Sequence, residues 1–159
     1  MVMAEAPRRV VATARWSASG VDISTAATLH YADGRVAQMS CAMDAAYHRH
    51  ATIIGSEGTV DTEYLNHTSD TATGHPHGYQ PSQLSVRRGT ASTIPLESIQ
   101  CQTGSGFRFA AEAFARLVAT RDWAAVNRAR AASLDIAATL NAIAISVRNG
   151  EPVDLVRGS

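Results

Sequence analysis

The alternation of apolar and polar positions predicts β-strands in the first two-thirds of the chain. From residue 23 to residue 31 the side chains alternate between two faces, as they do along a strand. Asp33-Gly34 follows at once and predicts a type I′ hairpin turn, because both central positions of that turn favour positive φ. Strand patterns cover residues 8–16, 23–31, 35–44, 47–54, 59–64, 83–87 and 92–96.

The last third of the chain carries the three-and-four spacing of amphipathic helices. One helix is predicted from about Gly106 to Thr120. Asp122 stands where an N-cap belongs, and a second helix is predicted from there to about Arg148. Asn149-Gly150 ends it, since glycine readily takes the left-handed conformation after a helix. A short final strand is predicted at residues 153–156.

Strands first and helices last, with hairpin connections, predict an α+β domain. We expect a largely antiparallel open sheet with the two C-terminal helices packed on one face, as a single domain over residues 1–159. Residues 65–81 are polar and predict a loop within it. Gly104-Ser105-Gly106 lacks the third glycine of a dinucleotide-binding fingerprint, so the sequence predicts no Rossmann domain and no cofactor-binding residue.

The charge balance and the apolar pattern of the chain exclude several classes of function. The chain has 159 residues, 14 basic and 14 acidic, with a net charge of zero. Nucleic-acid binding and polybasic membrane attachment both need unpaired positive charge, so neither is expected. With no signal-peptide pattern and no long apolar run, we expect a cytoplasmic protein without a membrane partner.

All 14 basic residues are arginine, and the sequence contains no lysine. Any reaction that requires a lysine therefore needs another chain or domain. The two cysteines, Cys41 and Cys101, are far apart and form no C-x-x-C motif, so neither a zinc site nor a redox motif is predicted.

Tyr47, His48 and His50 are the first candidates for ligand contact. The two histidines occupy alternate positions of a predicted strand and can face the same side. Alternatively, they are ordinary polar residues on a strand face or at a subunit contact. No third ligand stands near them in sequence, so no metal site is predicted.

A second histidine group lies in the polar loop, at His67, His75 and His77. A solvated loop is the favoured interpretation, and a substrate gate is the alternative. Arg87-Arg88 is interpreted as a solvated turn, with phosphate binding as the weaker alternative.

The order of these pieces resembles the C-terminal domain of the glucose-fructose oxidoreductase / inositol dehydrogenase family (Gfo/Idh/MocA). The resemblance runs from about Pro7 to Leu155. Its carriers are residues 19–22, 27–29, 33–35, 53–60, 107–118, 122–123 and 142–153.

The resemblance implies a two-domain enzyme in which an N-terminal Rossmann domain binds NAD or NADP. This domain would then line the pocket for a sugar, polyol or related alcohol and form homodimer or higher contacts through its sheet. The family's catalytic lysine, usually in a Glu-Lys-Pro motif, comes from the Rossmann side, so no catalytic residue is carried over to this chain. We expect a truncated, excised or separately encoded C-terminal domain that binds no cofactor alone and is inactive alone.

Two other functions stay open at this point. One is a stand-alone, non-catalytic ligand-binding or dimerisation module. The other is an unrelated small α+β enzyme that uses its own pocket histidines, for which the fold alone is no argument.

Overall fold

The computed structural model describes residues 5–46, 48, 50–62, 83–100 and 106–155. In chain order its elements are β1 (Arg9–Trp16), β2 (Asp22–His30), β3 (Val36–Ala42), β4 (Ala51–Gly55), β5 (Gly58–Thr62), β6 (Gln83–Arg88), β7 (Glu97–Gln100), α1 (Gly106–Thr120), α2 (Trp123–Asn149) and β8 (Val153–Asp154). They fall into two compact units. The first consists of Met1–Ala46 with Asp122–Ser159, and the second is Tyr47–Arg121.

The first unit is built on a four-stranded antiparallel sheet, sheet A, with strand order β3-β2-β1-β8. Helix α2 packs on one face of this sheet, against β1 and β8. Every second side chain of these strands faces α2. These side chains form the core, because their burial removes apolar surface from water. The core residues are Val10, Ala12, Ala27, Leu29, Tyr31 and Ala142.

A buried hydroxyl joins the helix to the sheet. Ser146 of α2 is 1% exposed. Its Oγ accepts a 2.9 Å hydrogen bond from the backbone N–H of Ala12 in β1. β8 pairs with β1 only at Arg9 and Val10, so Ser146 provides an acceptor for β1 beyond the end of that short strand. A buried backbone N–H needs such an acceptor, since leaving it unpaired costs free energy.

The hairpin predicted at Asp33-Gly34 forms, but its turn differs from the predicted type I′. The N–H of Tyr31 donates to the carbonyl of Arg35, and the N–H of Gly34 donates to the carbonyl of Tyr31. Gly34 has φ +84° and Asp33 does not have positive φ. This is a three-residue loop with glycine in the left-handed position. The Asp33 carboxylate accepts the Arg35 backbone N–H, which lowers the pKa of Asp33.

Both predicted helices are confirmed, together with the caps of α2. The Asp122 carboxylate accepts a 2.9 Å hydrogen bond from the backbone N–H of Ala125. Gly150 has φ +70°, and its N–H returns to the carbonyl of Ser146. Arg148 lies in the last turn, where a positive charge complements the helix dipole. Among the described helices, α2 is long and apolar enough to span a membrane by length and composition, a test that core helices also pass.

The second unit contains a second four-stranded antiparallel sheet, sheet B, with strand order β4-β5-β6-β7. The predicted α+β class and antiparallel pairing are confirmed. The strands nevertheless form two sheets where one was predicted, since β4 pairs with β5 and β3 pairs with β2. Helix α2 packs on sheet A, whereas α1 belongs to the second unit. The single domain over residues 1–159 stays a prediction.

Two strand boundaries in the second unit differ from those predicted. β4 begins at Ala51 and not at residue 47, and the last strand of sheet B is Glu97–Gln100 and not residues 92–96. β7 pairs with β6 from Gln100 opposite Gln83 to Glu97 opposite Val86. The connection between these strands is therefore a longer loop than the predicted three-residue turn.

Candidate functional site

The hairpin of β4 and β5 places one polar pair on the surface of sheet B. Ser56 and Glu57 link the strands, and Gly55 pairs with Gly58. Counting outward from this two-residue link puts Thr52 directly opposite Asp61. Side chains of directly opposite residues point to the same face of a sheet and lie close enough to interact.

The turn between β4 and β5 requires a backbone conformation at Gly58 that glycine adopts most easily. Its φ is +146°, outside the range that side-chain-bearing residues usually adopt. A Cβ at this position would overlap the carbonyl oxygen of Arg87 on β6. The close approach of β5 and β6 at this point therefore depends on glycine.

His50 completes a three-residue cluster with this pair. The Thr52 hydroxyl donates a 2.6 Å hydrogen bond to Oδ1 of Asp61. Nε2 of His50 lies 3.1 Å from Oγ1 of Thr52 and 3.5 Å from Oδ1 of Asp61. With Nε2 protonated, His50 donates to this hydroxyl–carboxylate pair, so the two groups hold the ring in place. We call these three residues the His50 cluster.

His48 lies beside the His50 cluster. The ring centroids of His48 and His50 are 5.8 Å apart, and the two planes are inclined by 27°. Both histidines are exposed, and the side chain of Asp61 is 30% exposed. A ligand can therefore reach the imidazoles and the carboxylate without displacing core residues.

The chemistry of the His50 cluster suits hydrogen bonding to hydroxyl groups. It combines an imidazole, a hydroxyl and a carboxylate, so it offers donors and acceptors within one small area. Among the residues that the structure describes, no three His, Cys, Asp or Glu side chains are grouped closely enough to hold a metal ion. The arrangement thus offers hydrogen-bond donors and acceptors to a polar ligand.

The structure brings together two of the three predicted contact residues. His48 and His50 stack as neighbours, while Tyr47 lies outside the described residues, as do His67, His75 and His77. Asp61 and Thr52 were missed, because a carboxylate eleven positions after His50 looks remote in the sequence. The sequence Gly55-Ser56-Glu57-Gly58 could have predicted this pair. A two-residue link at Ser56 and Glu57 fixes the register of the hairpin and puts Asp61 opposite Thr52.

An antiparallel α+β fold with a polar cluster on an exposed hairpin leaves the family of the domain open. The family model of the GFO/IDH/MocA C-terminal domain matches residues 1–61. The matched range holds β1 to β4 and ends at Asp61, so it includes the whole His50 cluster. This match agrees with the resemblance to the Gfo/Idh/MocA C-terminal domain that the sequence indicated. No curated protein and no solved structure gives a significant match to the chain.

Proposed function

We propose that the chain is the substrate-binding and self-association domain of a cytoplasmic NAD(P)-dependent oxidoreductase acting on a sugar, polyol or related alcohol. The observation that carries the proposal is the family match over residues 1–61. NAD or NADP, bound by the Rossmann domain of the parent enzyme, supplies the hydride chemistry. The absence of lysine and of a glycine-rich fingerprint from this sequence supports that division, and the isolated chain is then inactive.

The His50 cluster supports the assignment of the substrate class. A sugar or polyol presents a row of hydroxyls, each of which both donates and accepts hydrogen bonds. Asp61 accepts, Thr52 does both, and His50 does either according to its tautomer. We assign His48, His50 and Tyr47 to substrate contact, and we add Thr52 and Asp61 to them.

The face of sheet A opposite α2 supports self-association. It presents mostly small uncharged side chains such as Ala26, Thr28 and Ser40, together with Val11 at 38% and Val36 at 50% exposure. Its charged side chains lie at the margins and are paired, Arg9 with Asp154 and Arg15 with Asp44. The hydrogen bond from Arg15 lowers the pKa of Asp44. Little unpaired charge therefore opposes the stacking of a second copy on this face.

Substitution in the His50 cluster should weaken polyol binding by the purified chain. We expect His50→Ala and Thr52→Val to raise the dissociation constant for a bound sugar or polyol about tenfold, the loss of roughly one well-made hydrogen bond. Thr120→Val is the matched control, because the Thr120 hydroxyl bonds only its own helix at the Arg116 carbonyl. NMR titration with a panel of sugars and polyols measures the binding.

Titration of the same samples with NADH and NADPH tests whether cofactor binding belongs to another domain. We expect no saturable binding of either cofactor. Micromolar binding would contradict the proposal that the cofactor belongs to another domain. If no sugar or polyol binds and the chain forms stable oligomers, the stand-alone dimerisation module replaces the proposed function.

A charge placed on the open face of sheet A should dissociate the oligomer. We expect the wild type to sediment as a dimer or larger species and Val11→Arg to sediment as a monomer, because a buried unpaired charge opposes association. Val21→Arg is the control: Val21 is 47% exposed in the loop before β2. A wild type that stays monomeric at high concentration in analytical ultracentrifugation would contradict self-association through this face.

A further inference from the structure

The His50 cluster shares its face of sheet B with an arginine from the neighbouring strand. In the register of β5 and β6, Ser85 lies opposite Asp61 and Arg87 lies opposite Thr59. Side chains two residues apart on a strand point to the same side. This face of sheet B therefore carries five polar residues and the exposed Ile54: Thr52, Ile54, Thr59, Asp61, Ser85 and Arg87.

Arg87 has a guanidinium group that the described residues do not fully satisfy. The side chain is half-buried, and its Nε is shielded from water without a hydrogen-bond partner among the described residues. A shielded guanidinium N–H without an acceptor carries a desolvation cost. An anionic ligand that meets the guanidinium offsets this cost, and it binds more strongly there than to a fully hydrated arginine.

Arg88, the next residue, does not share this environment. Strand alternation puts Arg88 on the opposite face of sheet B, where it is exposed. Its Nε donates a 3.0 Å hydrogen bond to Oε2 of Glu97. The Arg87-Arg88 pair in the sequence is therefore two separate groups, and only Arg87 faces the side of the His50 cluster.

The spacing of Arg87 and the His50 cluster fits one small ligand. Arg87 stands one strand away from Asp61 and two residues along, a separation of roughly 5 Å across the sheet and 7 Å along it at the Cα positions. Both residues lie on the same face of the sheet. A single polyhydroxy chain can then contact the guanidinium at one end and the imidazole and carboxylate at the other.

The charges on this face favour a singly charged anion. Arg87 contributes one positive charge, and Asp61 places a negative charge on the same face. A carboxylate, with one negative charge, matches the planar guanidinium in geometry and charge, whereas a phosphate carries about −1.5 to −2 and would face Asp61 as well.

We propose that Arg87 binds the carboxylate of a polyhydroxy acid while the His50 cluster binds its hydroxyls. The proposal rests on the proposed function, since it names the kind of sugar or polyol derivative that this domain binds. The neutral polyols then occupy the same site more weakly, through the His50 cluster alone.

Three ligands that differ at one end of the same carbon chain test the proposal. D-gluconate, D-glucitol and D-glucitol 1-phosphate, which differ only at C1, are titrated into the 159-residue chain, and the dissociation constants are measured by NMR. We expect gluconate to bind about tenfold more tightly than glucitol, as the gain of one charged hydrogen-bonded contact predicts. The Hε–Nε resonance of Arg87, assigned by its loss in Arg87→Lys, should shift with gluconate and not with glucitol.

Arg87→Gln should remove the preference for gluconate and leave glucitol binding unchanged. Arg88→Gln is the matched control and should leave the binding of both ligands unchanged. Circular dichroism shows whether Arg87→Gln has folded. If it has not, the resonance shift in the wild-type protein decides.

The outcomes separate this inference from the proposed function. Glucitol bound as tightly as gluconate, or an Arg87 resonance that does not move with gluconate, would overturn the role of Arg87 and leave the polyol-binding function standing. Tighter binding of the phosphate than of the carboxylate would overturn the carboxylate assignment. If none of the three ligands binds, the proposed function fails and this inference fails with it.

Discussion

Gly58→Ala should destabilise the β4–β5–β6 region by about 3 kcal/mol or more. The new Cβ meets the carbonyl oxygen of Arg87, which is backbone and cannot rotate away. Alanine also has to adopt φ near +146°. A strained φ and steric overlap in a packed segment each cost about 1–3 kcal/mol. The strand pairing at this point then opens, and Asp61 loses its fixed position opposite Thr52.

Amide hydrogen exchange is the suitable measurement for Gly58→Ala, because both tryptophans of the chain, Trp16 and Trp123, belong to the first unit. We expect the amides of β5 to lose their protection while those of β1 and β2 keep theirs. Gly34→Ala is the control: Gly34 also has positive φ, but a Cβ there meets nothing within 4 Å. It should cost only about 1–2 kcal/mol, confined to the β2–β3 hairpin. Unchanged exchange in β5 would show that the turn tolerates a side chain.

Ser146→Ala should lower the free energy of unfolding of the first unit by about 1–3 kcal/mol. The substitution removes the acceptor of the Ala12 N–H and leaves that donor buried and unpaired, which costs more than the hydrogen bond itself contributes. The cavity left by one oxygen atom is small, so the loss comes mainly from the unpaired backbone group.

Urea unfolding followed by tryptophan fluorescence measures this loss. Ser133→Ala is the matched control, because Ser133 lies on the same helix, is exposed, and bonds only the Ala129 carbonyl of its own helix. Both substitutions raise helix propensity by a similar amount, so the difference between them isolates the bond to β1. Equal stability of the two variants would contradict the role of Ser146 as an acceptor for β1.

Helix positions could be predicted from the sequence because their signals are local. Asp122 and Gly150 each act within one turn of the helix that they cap. Strand existence was also predicted well, since alternation is a local pattern. The division into two sheets could not be predicted in this way. It depends on which neighbour each strand pairs with, and alternation is the same for β3 paired with β2 and for β3 paired with β4.

The residues of the candidate site could likewise be predicted only where local sequence patterns determine their positions. His48 and His50 are two positions apart, so their shared side follows from strand geometry alone. Asp61 joins His50 only through the register of a hairpin, and Arg87 joins the face through a further strand pairing. The sequence presents Arg87 and Arg88 as one basic pair. Strand alternation puts the two arginines on opposite faces of sheet B. The strand pairing then shows that Arg87 shares its face with the His50 cluster.

The first unit is assembled from two stretches of chain that flank the second, and this sets the order in which the protein can fold during synthesis. The core contact between Ala12 and Ser146 spans 134 positions, so sheet A cannot complete its core until α2 has been synthesised. The second unit is one continuous stretch, and its β4–β5 hairpin closes over a two-residue link. Contacts close in sequence form faster than distant ones. Sheet B can therefore fold first, while β1 to β3 remain without their helix until α2 has been synthesised.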